Sequence, residues 1–205
     1  MKTKRLVVLF TAFTLLFGAS VYAESMWGDY NGFSKIKVRV EGNELKVSDN
    51  EVPALVMNER TMIPLHQVAS ELRSLVNWNS ATQTVEVYKP NVNMVFAQDV
   101  SKEDFTIKRP FARVDLGQTV DFVVCIDVDN LNVPVDGFRV SIVAPNGDTV
   151  ANSNLIALRN PKDTSFWYYW PIKVAFSQKG NYKVKFAFQH KGEFVVVSEK
   201  TIVSK

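Results

Sequence analysis

From Thr106 onward the chain repeats one pattern, short strand-like segments separated by turn-forming residues, and this pattern constrains the fold most. The separators NLNVP, PNG, RNPKD, QKG and KG contain the Gly, Pro, Asn and Asp residues that favour turns. About seven strands at this spacing predict an all-β, antiparallel sandwich over residues 106–205. The segments read TIKRPFARV, QTVDFVVCIDV, DGFRVSIVA, DTVANSNLIALR, SFWYYWPIKVAF, NYKVKFAFQH and EFVVVSEKTIV.

The stretch SQKGNYKVKF resembles the Gly-x-Tyr approach to a late strand of immunoglobulin-like domains. In those domains the tyrosine hydroxyl bonds to nearby backbone, so the resemblance implies such a bond for Tyr182. Val184 stands two residues later, where antibody domains carry a disulfide cysteine. The resemblance is to an immunoglobulin-like architecture, and it implies no particular function.

Residues 35–89 mix strand and helix signals. IKVRVEGNELKV alternates apolar and polar residues on both sides of Gly42-Asn43, which predicts a hairpin. Pro64 suits the first position of a helix, where its missing N–H is not needed. VNWNSATQTVEVYK predicts two strands around a polar turn. An apolar helical stripe is expected from residues at i, i+3, i+4 and i+7, namely Leu65, Val68, Ala69 and Leu72.

This α+β region resembles the copper amine oxidase N-terminal-like domain, also called a stalk domain. The family run N-G-R-T, two apolar residues, then P-L-R reads here from Asn58 to His66, and V-x-W-N reads from Val76 to Asn79. Glu59 and Arg73 stand where glycine is common in the family, and His66 where arginine is common. Despite the name, the resemblance implies a non-catalytic accessory module of exported Gram-positive proteins, without copper chemistry.

The chain begins with a signal-like segment. Lys2, Lys4 and Arg5 precede an apolar run that is shorter than a membrane-spanning helix needs, and small residues follow at Val21 and Ala23. We predict a signal peptide over 1–23, with retention as an anchor as the alternative, and no membrane span once it is removed. The domains that follow are expected at 24–89 (stalk), 90–105 (linker) and 106–205 (sandwich).

The charge balance argues against nucleic-acid binding. The chain has 24 basic and 21 acidic residues, and the three basic residues of the signal segment leave 21 of each. A neutral chain without basic runs has no long-range attraction for polyanions. We therefore expect no nucleic-acid partner.

Five consecutive aromatic residues stand within TSFWYYWPIKVAF. Because side chains alternate along a strand, the even positions from Phe166 to Phe176 form an unbroken apolar face, while Trp167 and Tyr169 point away from it. Pro171 favours an edge strand or a bulge, because it cannot donate to a ladder. Trp167 and Tyr169 are the candidate site, and three roles stay open: a contact with the first domain, a partner-binding patch or a carbohydrate-stacking face.

The reactive residues predict little chemistry. Cys125 is the only cysteine, and its alternation with Phe122 and Val124 predicts an outward, partly accessible side chain among acidic neighbours. We interpret it as a small apolar strand residue with a protonated thiol.

His66 and His190 lie in different predicted domains, without the second histidine or cysteine that zinc or copper needs. We expect no metal site and no cofactor. A weak calcium site around Asp127, Asp129 and Asp136 stays open beside simple solvation of an acidic loop.

No catalytic motif is found in the sequence: it has no Gly-x-Ser-x-Gly elbow, phosphate loop or zinc helix. We therefore expect no catalytic residues and a secreted, non-enzymatic protein, extracellular or associated with the cell wall, that binds a protein or wall partner. The alternatives are a carbohydrate-binding module and an envelope hydrolase of unfamiliar type.

Overall fold

The structure is a computed structural model that describes residues 26–47, 51–160 and 162–205. The predicted signal peptide lies outside these ranges. The chain divides into two compact units between Pro64 and Leu65, inside the predicted stalk domain. Across the described ranges, no helix has the length and apolar character that crossing a membrane requires.

The first unit consists of short antiparallel hairpins. The predicted hairpin around Gly42 forms, but its turn residues are Glu41 and Gly42, one position earlier than expected, because Val40 pairs with Asn43. Both turn residues have positive φ, 50° and 84°, which is the type I′ geometry that matches strand twist. The strands are β1 (Asp29–Tyr30), β2 (Phe33–Ser34), β3 (Arg39–Val40), β4 (Asn43–Glu44), β5 (Leu55–Met57) and β6 (Arg60–Met62).

The second unit opens with helix α1 (Leu65–Glu71) and the hairpin of β7 (Leu75–Asn79) and β8 (Thr84–Tyr88). The Asn79 side chain accepts hydrogen bonds from the backbone N–H groups of Ala81 and Thr82, which closes the polar turn. The predicted apolar stripe of α1 is only partly buried: Ala69 is buried, whereas Leu65 and Leu72 are exposed.

Two glycine-favoured positions of the stalk motif carry other residues in a left-handed conformation. Glu59 has φ 62° in the two-residue turn between β5 and β6. Arg73 has φ 58° two residues after the end of α1. Its N–H donates to the Ser70 carbonyl and the N–H of Ser74 donates to the Ala69 carbonyl, which is a Schellman ending. Glycine adopts this conformation without the steric cost that a Cβ adds. The departures from the family pattern are therefore sites of local strain.

The rest of the second unit is a sandwich of two sheets. One sheet has the strand order β10-β9-β12-β15 and the other β11-β17-β16-β13-β14. The seven predicted segments all contain strands, so the all-β, immunoglobulin-like prediction is confirmed. The strands are β9 (Asn91–Val100), β10 (Ile107–Phe111), β11 (Arg113–Val114), β12 (Thr119–Asp129), β13 (Gly137–Val143), β14 (Thr149–Asn152), β15 (Phe166–Ala175), β16 (Gly180–His190) and β17 (Glu193–Ser204).

Strand β9 corrects the predicted linker over residues 90–105. Residues 91–100 pair with β12 on one side and with β10 on the other. Met94 and Phe96 are 3% and 1% exposed in the core of the sandwich. The linker prediction is therefore wrong for this segment. Its backbone hydrogen bonds are made with β10 and β12, which follow later in the chain.

The core confirms the predicted tyrosine arrangement. The hydroxyl of fully buried Tyr182 accepts a hydrogen bond from the Gln178 backbone N–H at 3.0 Å. Val184 is also fully buried, so an apolar contact replaces the antibody disulfide at this position. Leu75 of β7 joins the same core cluster, which places the β7–β8 hairpin against the sandwich.

Replacing Arg73 with glycine is expected to raise the free energy of unfolding by about 0.5–1 kcal/mol, because it removes the left-handed strain. Glu59→Gly is expected to act in the same direction. Glu71→Gly, at the last position of α1, is the matched control and should lower the unfolding free energy by up to about 1 kcal/mol. Urea unfolding measures all three, and equal destabilisation by Arg73→Gly and Glu71→Gly would contradict the strain.

Candidate functional site

The aromatic run forms β15, which is an edge strand as Pro171 predicts, since it pairs with β12 and with no other described strand. Its even-numbered side chains face the core: Trp170 and Val174 are buried, and so is Phe176 directly after the strand. Trp167 lies on the opposite face and is 58% exposed, and Tyr169 beside it is half-buried. The predicted division of the run into two faces is therefore confirmed.

The backbone N–H and C=O groups of β15 also alternate in direction along the strand. At one end, the Phe176 N–H donates to the Gln118 carbonyl, and at the other, the Thr164 carbonyl accepts from Leu131. Both groups belong to even-numbered residues, so the even positions direct their N–H and C=O groups to β12. The odd positions, including Trp167 and Tyr169, direct theirs to the free edge. Pro171 falls at an odd position, where its missing N–H costs no ladder bond.

The tip of the β9–β10 hairpin extends the aromatic surface. Pairing of β9 with β12 ends at Ala97 and Val123, while β9 continues to Val100 paired only with β10. The tip thereby leaves the sheet, and Phe105 stacks on Tyr169 with ring centroids 5.7 Å apart and planes at 14°. Trp167 stacks on Tyr169 at 6.3 Å and 24°. We call the set of Phe105, Tyr169 and Trp167 the aromatic stack.

Asp104 holds the conformation of this tip. Its carboxylate accepts a hydrogen bond from the Thr106 N–H at 3.0 Å. Hydrogen bonds from the Ser101 side chain and then from Thr106 lower the pKa of Asp104 from 3.8 to about 2. Phe105, next to it, has a φ of 58°, so the turn presents the ring in a left-handed backbone conformation.

A cleft of about 810 Å³ lies beside the aromatic stack. It is lined by side chains from both faces of β15, such as Trp167 and Tyr168, so it opens along the edge of the strand. The opposite wall is the segment 156–159, anchored by two hydrogen bonds between the backbones of Ile156 and Phe138. The aromatic and aliphatic lining consists of Phe105, Ile107, Phe138, Ile156, Ala157, Leu158, Phe166, Trp167, Tyr168 and Tyr169.

Two charged residues line the same cleft. Asp163 accepts a hydrogen bond from the Asn160 side chain at 3.1 Å. Arg159 is exposed, and it forms no ion pair within the described ranges. The guanidinium is therefore the one cleft charge whose hydrogen-bonding capacity is unused by the described residues.

Cys125 corrects a prediction. It lies on the outer face as expected, but it is 2% exposed instead of partly accessible. It stands between Val95 and Tyr169 in the register, and the Cys125–Tyr169 pair is of the non-hydrogen-bonded kind, in which side chains approach more closely. Burial raises the pKa of the thiol, so removal from water, and not the acidic neighbours, keeps it protonated.

The other predicted groups do not form a site. Asp129 accepts a hydrogen bond from Asn91, and Asp136 accepts one from the Gly192 N–H. His190 places Nδ1 2.9 Å from the Pro134 carbonyl, and His66 is exposed on α1. Among the described residues, no cluster of three or more metal-ligating side chains occurs. The member of the aromatic stack that sequence reasoning missed is Phe105, whose only local signal is an aromatic side chain at a polar turn.

Comparison with known protein families finds a match that lies mostly in the first half of the chain. Residues 35–103 match the family model of the copper amine oxidase N-terminal domain, which confirms the resemblance and suggests a β-rich protein of extracellular or envelope type. The match includes β9. No curated protein matches the chain.

Two solved structures overlap part of the chain. A protein described as a beta-galactosidase from Bacteroides fragilis is 16% identical with a TM-score of 0.34, over 57% of this chain and 18% of that one. An immunoglobulin-like protein from Pseudomonas aeruginosa is 11% identical with a TM-score of 0.30, over 58% of this chain and 94% of that one. The chain thus spans under a fifth of the first structure. The strand pairing within this chain defines the sandwich.

The hairpin tip is expected to respond to acid only at very low pH. The folded pKa of Asp104 lies below its ordinary value, so the stabilisation by its ionised form is complete above about pH 4 and is lost as pH falls through about 2. The Thr106 amide resonance should therefore titrate with a midpoint near 2 and lose this transition in Asp104→Asn. A midpoint near 3.8 would contradict the hydrogen bonds.

Proposed function

We propose that this chain, which contains a copper amine oxidase N-terminal domain over residues 35–103, is an exported, non-enzymatic protein that binds a protein or cell-wall partner through its aromatic cleft. The observation that carries the proposal is the aromatic stack, because two of its rings are more than half exposed. Phe105 is 60% exposed and Trp167 is 58% exposed.

The energetics of the stack favour a binding role. Burying a large aromatic side chain contributes roughly 2–3 kcal/mol, so two exposed rings give a partner a sizeable anchor. Aromatic anchors beside a concave apolar surface are typical of interface hot spots. The rings are also held in place before binding, since each stacks on Tyr169. Ordering these rings on binding would therefore cost little conformational entropy.

The chemistry of the lining supports binding more than turnover. Burial raises the pKa of Tyr168, and burial, followed by repulsion from Cys125 in its ionised form and from the Asp127 carboxylate, raises the pKa of Tyr169. Both phenols therefore stay neutral near pH 7. A nucleophile or general base needs its pKa shifted the other way, towards the working pH.

A carbohydrate-binding role is the second candidate, because stacked aromatic rings also suit the apolar faces of sugars. Both roles use Trp167 and Tyr169, and they differ in the partner that is captured. A hydrolase would instead turn a wall substrate over.

The double variant Trp167→Ser/Tyr169→Ser is expected to lose binding to intact cells by about tenfold or more, since it removes one exposed ring and the ring on which both exposed rings stack. Binding of the purified, labelled protein is measured by a saturation assay, and chemical crosslinking on the cells identifies the partner. Trp78→Ser is the matched control, because Trp78 is 53% exposed on the β7–β8 hairpin and does not line the cleft, and it should keep wild-type binding.

Two results would overturn the proposal. One is wild-type affinity of the double variant, with its fold intact by circular dichroism. The other is turnover of a purified wall substrate that a single substitution in the cleft abolishes. Capture of wall glycan in place of protein, still dependent on Trp167, would select the carbohydrate-binding role.

A further inference from the structure

We infer that the cleft binds an extended peptide segment of the partner, which adds as a strand to the free edge of β15 and directs a carboxylate to Arg159. The inference rests on the proposed function, and it specifies the chemical class of the ligand. Three independent features of the described residues carry it: the unpaired backbone of β15, the two-sided lining of the cleft and the unpaired charge of Arg159.

The unpaired backbone selects a ligand with its own alternating donors and acceptors. Trp167 and Tyr169 direct their N–H and C=O groups away from β12, and no hydrogen bond from another described residue reaches them. An edge of this kind is a template for another strand. The template ends at Pro171, which has no N–H to offer, and Lys173 beyond it adds the charge that discourages edge pairing. Strand addition is therefore confined to the end of β15 beside the cleft.

The two-sided lining matches the alternation of a peptide strand. Residues i and i+2 of an extended peptide lie on one face and residue i+1 on the other. One face of the added strand would meet Phe138, Phe166 and Tyr168, and the other would meet the aromatic stack. An apolar peptide satisfies both walls and the backbone together. A sugar on the stack would leave the edge groups of Trp167 and Tyr169 without partners.

The positive charge of Arg159 at the rim of the cleft favours a ligand with a carboxylate. Arg159 lines the cleft without an ion pair, whereas Asp163 already accepts a hydrogen bond from Asn160. A guanidinium binds a carboxylate with two parallel hydrogen bonds. We therefore expect an Asp, a Glu or a terminal carboxylate in the bound segment.

The test uses a set of synthetic peptides of about eight residues, in which Val, Ile or Phe alternates with Thr before a single Glu. Two N-methylated versions of the tightest binder carry methyl groups on alternate residues, of either one parity or the other. In a strand, one parity directs its N–H groups to β15 and the other to solvent. One methylated peptide should therefore bind the intact protein about tenfold or more weaker than its parent, and the other should bind like the parent.

The charge is tested with Arg159→Gln. This variant should weaken binding of the Glu peptide by about three- to fivefold and leave the affinity of a Gln-containing version unchanged. Lys162→Gln is the matched control, because Lys162 is exposed on the same connection between β14 and β15 and does not line the cleft. An equal loss for both peptides would contradict a contact with the carboxylate.

Other outcomes overturn strand addition. These are no saturable binding of any peptide at about 1 mM, equal effects of the two methylation patterns, or binding only by glycan fragments. Association of two copies of the chain through β15 would also overturn it. If the peptides fail while Trp167→Ser/Tyr169→Ser still abolishes cell binding, the proposed function stands without the strand. If the double variant keeps cell binding, the proposed function fails.

Discussion

The pairing of β12 with β15 is the interaction on which the cleft depends. Its register places Trp167 opposite Asp127 and Tyr169 opposite Cys125, so one continuous outer face carries the rings while the other fills the core. The same register turns the N–H and C=O groups of the odd residues towards the edge. A slip of one residue would bury Trp167 and Tyr169 and expose Trp170 and Val174, which a buried core does not tolerate. Side-chain exposure and backbone exposure at this edge thus have one common origin.

Much of this arrangement could be predicted from the sequence because it is encoded locally. Period-two alternation separates the two faces of the aromatic run, and Pro171 indicates an edge position. Neither signal depends on which strand pairs with the run. Tyr182 behaves in the same way, since its hydroxyl bonds only four residues away. The stalk motif also depends on near neighbours, as the contact of Asn79 with its own turn shows.

The features that sequence reasoning missed depend on residues far apart in the chain. Strand β9 looked like a linker because Pro90 and several polar residues interrupt the apolar pattern there, while its partner β12 follows about thirty residues later. The burial of Cys125 depends on its neighbours Val95 and Tyr169 on two other strands. Phe105 reaches the stack only because the hairpin tip leaves the sheet after Ala97. Alternation predicts which face a side chain occupies, but it does not predict what covers that face.

Residue-specific amide hydrogen exchange on the free protein tests the open edge most directly. We predict alternation within one strand: the amides of Phe166, Tyr168 and Trp170 exchange slowly, while those of Trp167 and Tyr169 exchange fast, because only the even residues donate to β12. Slow exchange at Trp167 and Tyr169, equal to that of their even-numbered neighbours, would show that another part of the protein already occupies the edge and that β15 has no free backbone for a partner.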